Sequence, residues 1–514
     1  MPITETAGAV ERPRFVSGSL LRHVCVMAGT GAIGLIAVFA VDLINLFYIS
    51  LLGEKATAAA VGFAGVVGFF HASLCIGLTI GIAAVVSRTV GAGRTIDARR
   101  IATSSLVLMA ALSVLAGSGT AFFLHPALHA LGAEGETARL AQRYLAVTVH
   151  TLPLLGIGMA CSALLRSVGD ARRSMVVTLA AAFVTAVLDP ILIFGFGLGL
   201  DGAAISAVVS RMVLAAIGLH GVLVKHRMLG RFDVSWLGAD ARALAGVAGP
   251  AVLTNLATPV GAAFVTHAVA QFGPSAVAGA ATIDRLTPVA FGLVYALSGA
   301  VGPILAQNLG AGQYRRVQEG LRDSLLFMVA SVAVAWLVLA LGQGVLIRAF
   351  SADGLAAELI SLFCSWLAPS FFFAGGLFVA NASFNNLGHP LLSTAFNWGR
   401  ATLGTIPFAW WGSQHGAAGV LVGQAVGSSI FGLLAVVVAF RLAAKLARQQ
   451  APETEPEMAP EMAPAPVLDA PVAPTSAHGE AAALATPQPA AVAVAVAVAV
   501  AVTRPGPAAS AAAP

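Results

Sequence analysis

Twelve stretches of this chain are predominantly apolar over the length needed to cross a bilayer: 24–51, 58–84, 101–123, 144–165, 174–198, 202–224, 241–270, 276–305, 321–345, 355–384, 391–413 and 416–440. About 20 such residues in helical form span the roughly 30 Å hydrocarbon layer. Water is absent there, so every backbone N–H and C=O must find a partner inside the protein, which leaves helices and closed barrels as spanning structures. The runs are continuously apolar where a barrel strand would alternate at every second residue, so helices are expected. Charged residues make up 10% of the chain and apolar ones 58%, with a mean hydropathy of +0.88. A soluble domain carries roughly 25% charged residues, and that class is excluded.

The chain also repeats itself. Val90-Gly91-Ala92-Gly93-Arg94 returns as Leu309-Gly310-Ala311-Gly312-Gln313, each copy ahead of an arginine pair, Arg99-Arg100 and Arg315-Arg316. Gly202-Ala203-Ala204 pairs with Gly416-Ala417-Ala418, Gly169 with Gly388, and the turn at Gly53 with that at Gly273. The four offsets fall between 214 and 220 residues. Two tandem copies of one helical bundle follow, the usual construction of secondary transporters. The expected organisation is a cytoplasmic segment 1–23, a first lobe 24–230, a second lobe 231–445 and a tail 446–514. Pro, Ala, Val and Glu dominate that tail, which is read as disordered and cytoplasmic.

Arginines cluster in alternate loops. Arg12, Arg14 and Arg22 precede the first run; Arg88, Arg94, Arg99 and Arg100 follow the second; Arg166, Arg172 and Arg173 the fourth; Arg441, Lys445 and Arg448 the twelfth. By the positive-inside rule both termini face the cytoplasm of a multi-pass protein in the cell membrane. The net charge of +5 is then a topology signal, and no nucleic-acid partner is needed to explain it.

Several motifs are set aside. Gly197-Leu198-Gly199-Leu200-Asp201-Gly202 matches the dinucleotide fingerprint by letter but lies between two membrane runs, not between a strand and a helix. The chain has no phosphate-binding G-x-x-x-x-G-K-[ST] and no H-E-x-x-H, so neither nucleotide hydrolysis nor a zinc peptidase is supported. Cys25, Cys75, Cys161 and Cys364 are isolated, as small buried apolar residues would be. His71, His150 and His267 are read as packing hydrogen-bonders. No catalytic residue, cofactor or structural metal is expected.

A carboxylate in hydrocarbon costs about 2.5 kcal/mol or more, and so it marks function. Asp42, Asp189 and Asp284 lie well inside runs. Asp42 stands eleven residues before Gly53 and Asp189 ten before Gly199, which at about 1.5 Å per residue puts both roughly 15–16 Å below the outer turn. One acidic site in the first lobe is the expectation, able to exchange a proton for a cation. Pro190 removes an N–H beside Asp189 and loosens the helix there. Asp284 adjoins Arg285 and is read as locally charge-balanced; Arg211 and Arg400 are read as structural. At the repeat offset Asp42 faces Ala262, and Asp189-Pro190 corresponds to Ile406-Pro407. Pro407 keeps the helix-bending role, but the acids do not recur, so ion coupling is expected in the first lobe alone.

With these residues in view the chain resembles a multidrug and toxic compound extrusion (MATE) transporter over about residues 20–445. The likeness rests on Val41-Asp42, the Gly91-Ala92-Gly93 loop, Leu165-Arg166-Ser167-Val168-Gly169-Asp170, Val187-Leu188-Asp189-Pro190-Ile191-Leu192-Ile193-Phe194-Gly195 and Gly202-Ala203-Ala204. It implies an all-α membrane protein of twelve helices in two pseudo-symmetric six-helix lobes forming a V. It also implies antiport, in which inward H⁺ or Na⁺ movement drives export of organic cations. Asp42 and Asp189 match coupling-ion positions of the DinF-like branch. Thr185 stands where Asn is common and Ser206 where Thr is common, each keeping an oxygen; Met27 falls near an expected proline. Asn45 completes the expected coupling and cavity set with Asp42, Asp189, Thr185 and Ser206, and Na⁺ at Asp42 and Asp189 is the one metal ion envisaged. Thr258 and Gly376 stand near the second-lobe acids of the NorM-like branch.

The expected activity is therefore a secondary antiporter, monomeric in the lipid bilayer, exporting small amphipathic organic compounds for H⁺ or Na⁺. A lipid-linked oligosaccharide flippase is the alternative; its cavity would need many basic groups for a pyrophosphate. An intramembrane enzyme would leave the duplication unexplained. Phe70, Phe371, Phe372 and Phe373 with Asn381, Asn385 and Asn386 are the candidate substrate wall.

Overall fold

The computed structural model describes residues 13–51 and 55–448, and every regular element among them is helical. We number the crossings α1 to α12. They are α1 Leu20–Leu51, α2 Lys55–Gly91, α3 Thr95–Phe122, α4 Gly135–Ser167, α5 Ala171–Gly195 and α6 Gly199–Lys225, then α7 Val234–Ala270. The eighth crossing, α8, is Pro274–Ala290 continued by Gly292–Gly310; α9 is Tyr314–Ala349, α10 Gly354–Asn386 and α12 Gly416–Arg448. Among the described residues, eleven helices are long and apolar enough to span a membrane. The remaining crossing, α11, comes in three consecutive pieces, Pro390–Gly399, a widened π turn Arg400–Gly404 and Ile406–Ser413, none of which spans alone. Pro407 is the cause: it lacks the N–H and its ring excludes the carbonyl of the preceding turn.

Proline interrupts three further runs that the apolar pattern presents as continuous. A 3₁₀ turn, Val149–Thr151, divides α4 at Pro153, and a π turn with a 3₁₀ turn, Phe363–Leu367 and Ala368–Ser370, divides α10 at Pro369. α8 breaks at Phe291, just after Pro288. α4 also begins at Gly135, well before 144, because its first piece is amphipathic and carries Glu136, Arg139 and Arg143. α12 runs on to Arg448, past the expected boundary at 445. The tail beyond it lies outside the described residues, as do residues 1–12 and the turn at Gly53.

The lobes are six helices each, and their first helices cross over. Leu20, Val24, Met27 and Ala28 of α1 are buried in the apolar cluster of the second lobe, while Leu244 of α7 is buried in that of the first. Met27, near the expected proline, is a packed core residue. α1 lies on α5 and α8, and α2 lies on α7 and α8. The result is a pseudo-two-fold V.

Its apex is built from the repeated motif. A Cβ on Gly91 would collide with the Gln307 backbone carbonyl, and one on Gly310 with that of Arg88. Each Gly-Ala-Gly therefore lets the opposite helix approach at backbone contact. Its second glycine, Gly93 at φ 72° and Gly312 at φ 71°, ends the helix in the left-handed conformation that costs a glycine least. Arg88 donates to the Asn386 carbonyl at 2.7 Å, and Gln307 to the Ser167 carbonyl at 2.7 Å. These two bonds are pseudo-symmetry mates, since 88 to 307 and 167 to 386 are the same step of 219 residues. Among the described residues, the hydrogen bonds joining the lobes lie at this arginine-rich end.

Candidate functional site

The first-lobe acids come together through the register of α1 against α5. A Cβ at Gly34 would touch Thr178 near the start of the contact, and further along the Tyr48 and Phe194 rings meet edge-on with centroids 5.7 Å apart. Both helices run the same way, so Asp42 and Asn45 fall between these contacts at the level of Asp189. The Asp42 and Asp189 carboxylates are electrostatically coupled.

Their surroundings differ. Asp42 is exposed within its lobe, whereas Asp189 is 1% exposed. Asp189 is the next-to-last residue of the α-helical part of α5; Pro190 closes it, and Ile191–Gly195 widens into a π turn. Such turns arise where the regular ladder is broken, and they recur at functional sites. The turn also receives α6: a Cβ on Gly202 would lie 2.7 Å from the Leu192 carbonyl carbon. That close approach sets Ser206, one turn on, beside Asp189. The hydroxyl is near enough to influence the carboxylate without forming a hydrogen bond to it, and Asp189 Oδ1 and Ser206 Oγ are both buried without a partner. Asn45 Oδ1 is a third such oxygen. Thr185, one turn before Asp189, donates its hydroxyl to the Ala181 carbonyl at 3.2 Å and keeps its oxygen lone pairs. Buried oxygens left unpaired cost about 1–3 kcal/mol each, and a proton or small cation among them would relieve that cost. No three His, Cys, Asp or Glu side chains converge among the described residues, so a cation here would be held by carboxylates completed with neutral oxygens.

Tyr144 and Arg211 belong to the same cluster. Tyr144 feels Arg211, Asp189 and Asp42. Arg211 donates to the Thr148 carbonyl at 2.5 Å and to Thr151 Oγ1 at 2.7 Å. It satisfies a carbonyl at the break in α4 and puts a cation at a helix C-terminus, where the backbone dipole favours it. The apolar pattern gave no signal for Tyr144; its only sequence mark is that the chain has four tyrosines. His71 pairs with Thr120 at 2.8 Å and His150 with the Ala146 carbonyl at 2.6 Å, which is packing chemistry.

The second lobe holds a sparser counterpart, in which Tyr295 feels Arg400 and Asp284, one carboxylate where the first lobe has two. Asp284 and Arg285 are both exposed, and no ion pair joins them among the described residues, so their adjacency in sequence does not balance the charge. Successive helical residues point about 100° apart, which explains the failure. Arg400 opens the π turn of α11 beside Tyr295, and its guanidinium has no hydrogen-bond partner among the described residues. The proposed aromatic and amide wall is also rearranged. Asn381, Asn385 and Asn386 are buried, Asn381 accepting from Asn397 at 3.0 Å, and Phe371 stacks on Phe291 at 3.9 Å inside the second-lobe core. Phe70 remains exposed. Gly376 meets Val436 across a helix contact, and Thr258 is exposed.

The MatE family profile matches residues 32–191 and 250–411, one copy in each lobe. The chain is 32% identical over 423 residues to the FAD transporter of Shewanella oneidensis, covering 80% of this chain and 92% of that one. It is 25% identical over 316 residues to the multidrug export protein MepA of Staphylococcus saprophyticus, covering 60% of this chain and 69% of MepA. A solved multidrug resistance MATE transporter in an outward-facing conformation superposes with a TM-score of 0.81 at 19% identity, over 85% of this chain and 99% of that one.

Proposed function

The chain belongs to the MatE family, and from that membership we propose that it is a secondary antiporter that exports small organic compounds in exchange for H⁺ or Na⁺. It is a transporter and not an enzyme. The observation that carries the coupling is Asp189: a buried carboxylate with one unpartnered oxygen, facing an unpartnered Ser206 hydroxyl and coupled to Asp42. An ion that binds there discharges the pair and fills the vacant oxygens. Discharge changes how strongly α1 is held to α5, and through the crossover of α1 that bias reaches the second lobe. Substrate and ion then favour different lobe arrangements, which is all that coupling requires. We take the arginine-rich end as cytoplasmic and the membrane as the cell membrane. The first lobe corresponds to 24–230, the second to 231–445, and the working unit is a monomer. The pattern is compatible with a DinF-like grouping.

MepA exports drugs and the Shewanella relative is named for FAD, so two cargo chemistries compete: an amphipathic cation, and an anionic aromatic nucleotide. Asp42 favours the cation. Arg400, without a carboxylate beside it, favours the anion. Proteoliposomes under an imposed proton gradient, then a sodium gradient, decide both questions when ethidium and FAD are compared as cargoes. Gradient-driven flux of either cargo, lost in Asp42→Asn and Asp189→Asn, is the expected result and names the ion. Flux that persists in both variants would remove the acid pair from the coupling.

A further inference from the structure

A second feature lies away from the acids. A cavity of about 600 Å³ opens at the arginine-rich end, between the close of α2, the starts of α3 and α7, and the α10–α11 turn. Four guanidiniums line it, from Arg88, Arg94, Arg100 and Arg242, against two carboxylates, Asp97 and Asp240. Asp97 serves Arg94 at 4.0 Å and Arg100 at 3.4 Å; Asp240 serves Arg100 at 3.3 Å and Ser104 at 2.7 Å. Arg88 and Arg242 have no carboxylate partner among the described residues, and Arg88 Nε is buried without any partner. The cavity is left with two uncompensated positive charges.

The pseudo-two-fold axis makes this vacancy informative. The operation that carries Arg88 onto Gln307 and Gly388 onto Gly169 carries the cavity to a place that the chain itself occupies. There the Phe15 N–H donates to Gln307 Oε1 at 3.0 Å, Asn308 and Arg316 donate to the Phe15 carbonyl at 3.1 Å each, and the ring is 2% exposed. One junction is plugged by a polypeptide segment that satisfies its polar groups; its twin is open and lined with unmatched arginines. At the mouth of the open one, Arg100 lies 4.2 Å over the Trp236 ring, and Trp236, Phe232 and Val234 are 49%, 46% and 70% exposed. Exposed Trp with flanking arginines is what the headgroup level of a bilayer selects.

We propose that this cavity binds the phosphate group of an anionic ligand, with Arg88 and Arg242 as its charge partners. Planar guanidiniums match phosphate oxygens in pairs, and basic pockets between helices at the cytoplasmic face take acidic headgroups. Because its walls come from both lobes, an occupant braces the junction in the arrangement seen here, as Phe15 does on the other side. The phosphate is supplied by an inner-leaflet lipid or by a soluble phosphate ester.

Thermal unfolding of the full chain in detergent, at fixed ionic strength, separates these sources. Short-chain phosphatidylglycerol, phosphatidylcholine and inorganic phosphate are titrated against wild type, Arg242→Gln and the Arg88→Gln/Arg242→Gln pair. Arg242 is exposed and holds nothing in place, so its variant folds. Phosphatidylglycerol should raise Tm where phosphatidylcholine does not, with half-saturation about tenfold weaker in Arg242→Gln, the size expected for one charge-assisted hydrogen bond. The same arginine-dependent response to inorganic phosphate would assign the soluble source. No response to either, or a response unchanged in both variants, overturns the proposal.

Discussion

The fifth helix of the first lobe and that of the second, α5 and α11, share a proline, and both widen into a π turn beside it, yet only one carries an acid. In α5 the π turn follows Pro190 and the residue before the proline is Asp189; in α11 the turn precedes Pro407 and the residue before it is Ile406. The repeated backbone break makes a place in each lobe where the helix ladder is open. Chemistry entered one of them as a carboxylate and the other as Arg400. Duplication thus supplied two equivalent frames, and the sequences then diverged at the positions where a frame meets the cavity.

Exchanging a carboxylate in one lobe should therefore not resemble exchanging one in the other. Asp189→Asn is expected to cut gradient-driven flux by on the order of a hundredfold, as for an interaction of about 3 kcal/mol, while Asp284→Asn changes it less than about threefold. Equal losses, measured on the same proteoliposomes, would erase the distinction between the lobes. At the apex the frames must behave alike: Gly91→Val and Gly310→Val each drive a side chain into the opposite backbone, and each should lower Tm by about 5 °C or more. A large effect in one and none in the other would show that the pseudo-symmetric contact is not shared.

Ser206→Ala tests the half-made contact with Asp189. It removes a hydroxyl that is already unpartnered, so protein stability should hold within about 0.5 kcal/mol, while the concentration of coupling ion for half-maximal flux rises about threefold. Loss of stability instead would make Ser206 a packing residue. The smallest effect concerns the two loops before the fifth helices. Asp170 caps α5, accepting from the Arg173 N–H at 3.0 Å, whereas His389 offers α11 no side-chain cap. Burial works against the Asp170 anion, but hydrogen bonds from His226 and Arg173 outweigh it and hold the carboxyl well below the usual carboxylate range. A lowered folded-state value means the stabilisation is present in full above the unfolded value, near pH 4, and is lost as pH falls through the folded one. Asp170→Asn should therefore lower Tm by a constant amount between about pH 5 and 8, with the gap closing below about pH 4; His389→Asn should leave Tm almost unmoved.

The twelve crossings were legible because continuous apolar runs of that length have one economical solution in a bilayer, and the duplication was legible because glycines at backbone contacts tolerate no replacement. Asp42 and Asp189 were legible because charge is rare in such runs. The break in α11 was expected from Pro407, but the interruptions of α4, α8 and α10 were not read, although each has a proline at or near it, because hydropathy averages over the very turn in which a proline acts. Tyr144 was missed because a tyrosine inside an apolar run has no period or spacing to set it apart. The buried amides Asn381, Asn385 and Asn386 were mistaken for a cavity edge, since polarity in a sequence does not say whether a group meets water or another side chain.

Sequence alone determined that this chain is a duplicated helical membrane bundle with a pair of intramembrane acids, Asp42 and Asp189, in its first half and the lone Asp284 in its second, since hydrophobic length, repetition and rare charge are properties of the order of residues. Tertiary structure decided that Asp189 is buried while Asp42 is open, that Ser206 of another helix stands beside the carboxylate, and that α1 packs in the core of the second lobe while the start of α7 packs in that of the first. Those facts depend on the register of one helix against another, which is set by where backbones can approach most closely, across contacts hundreds of residues apart in the chain.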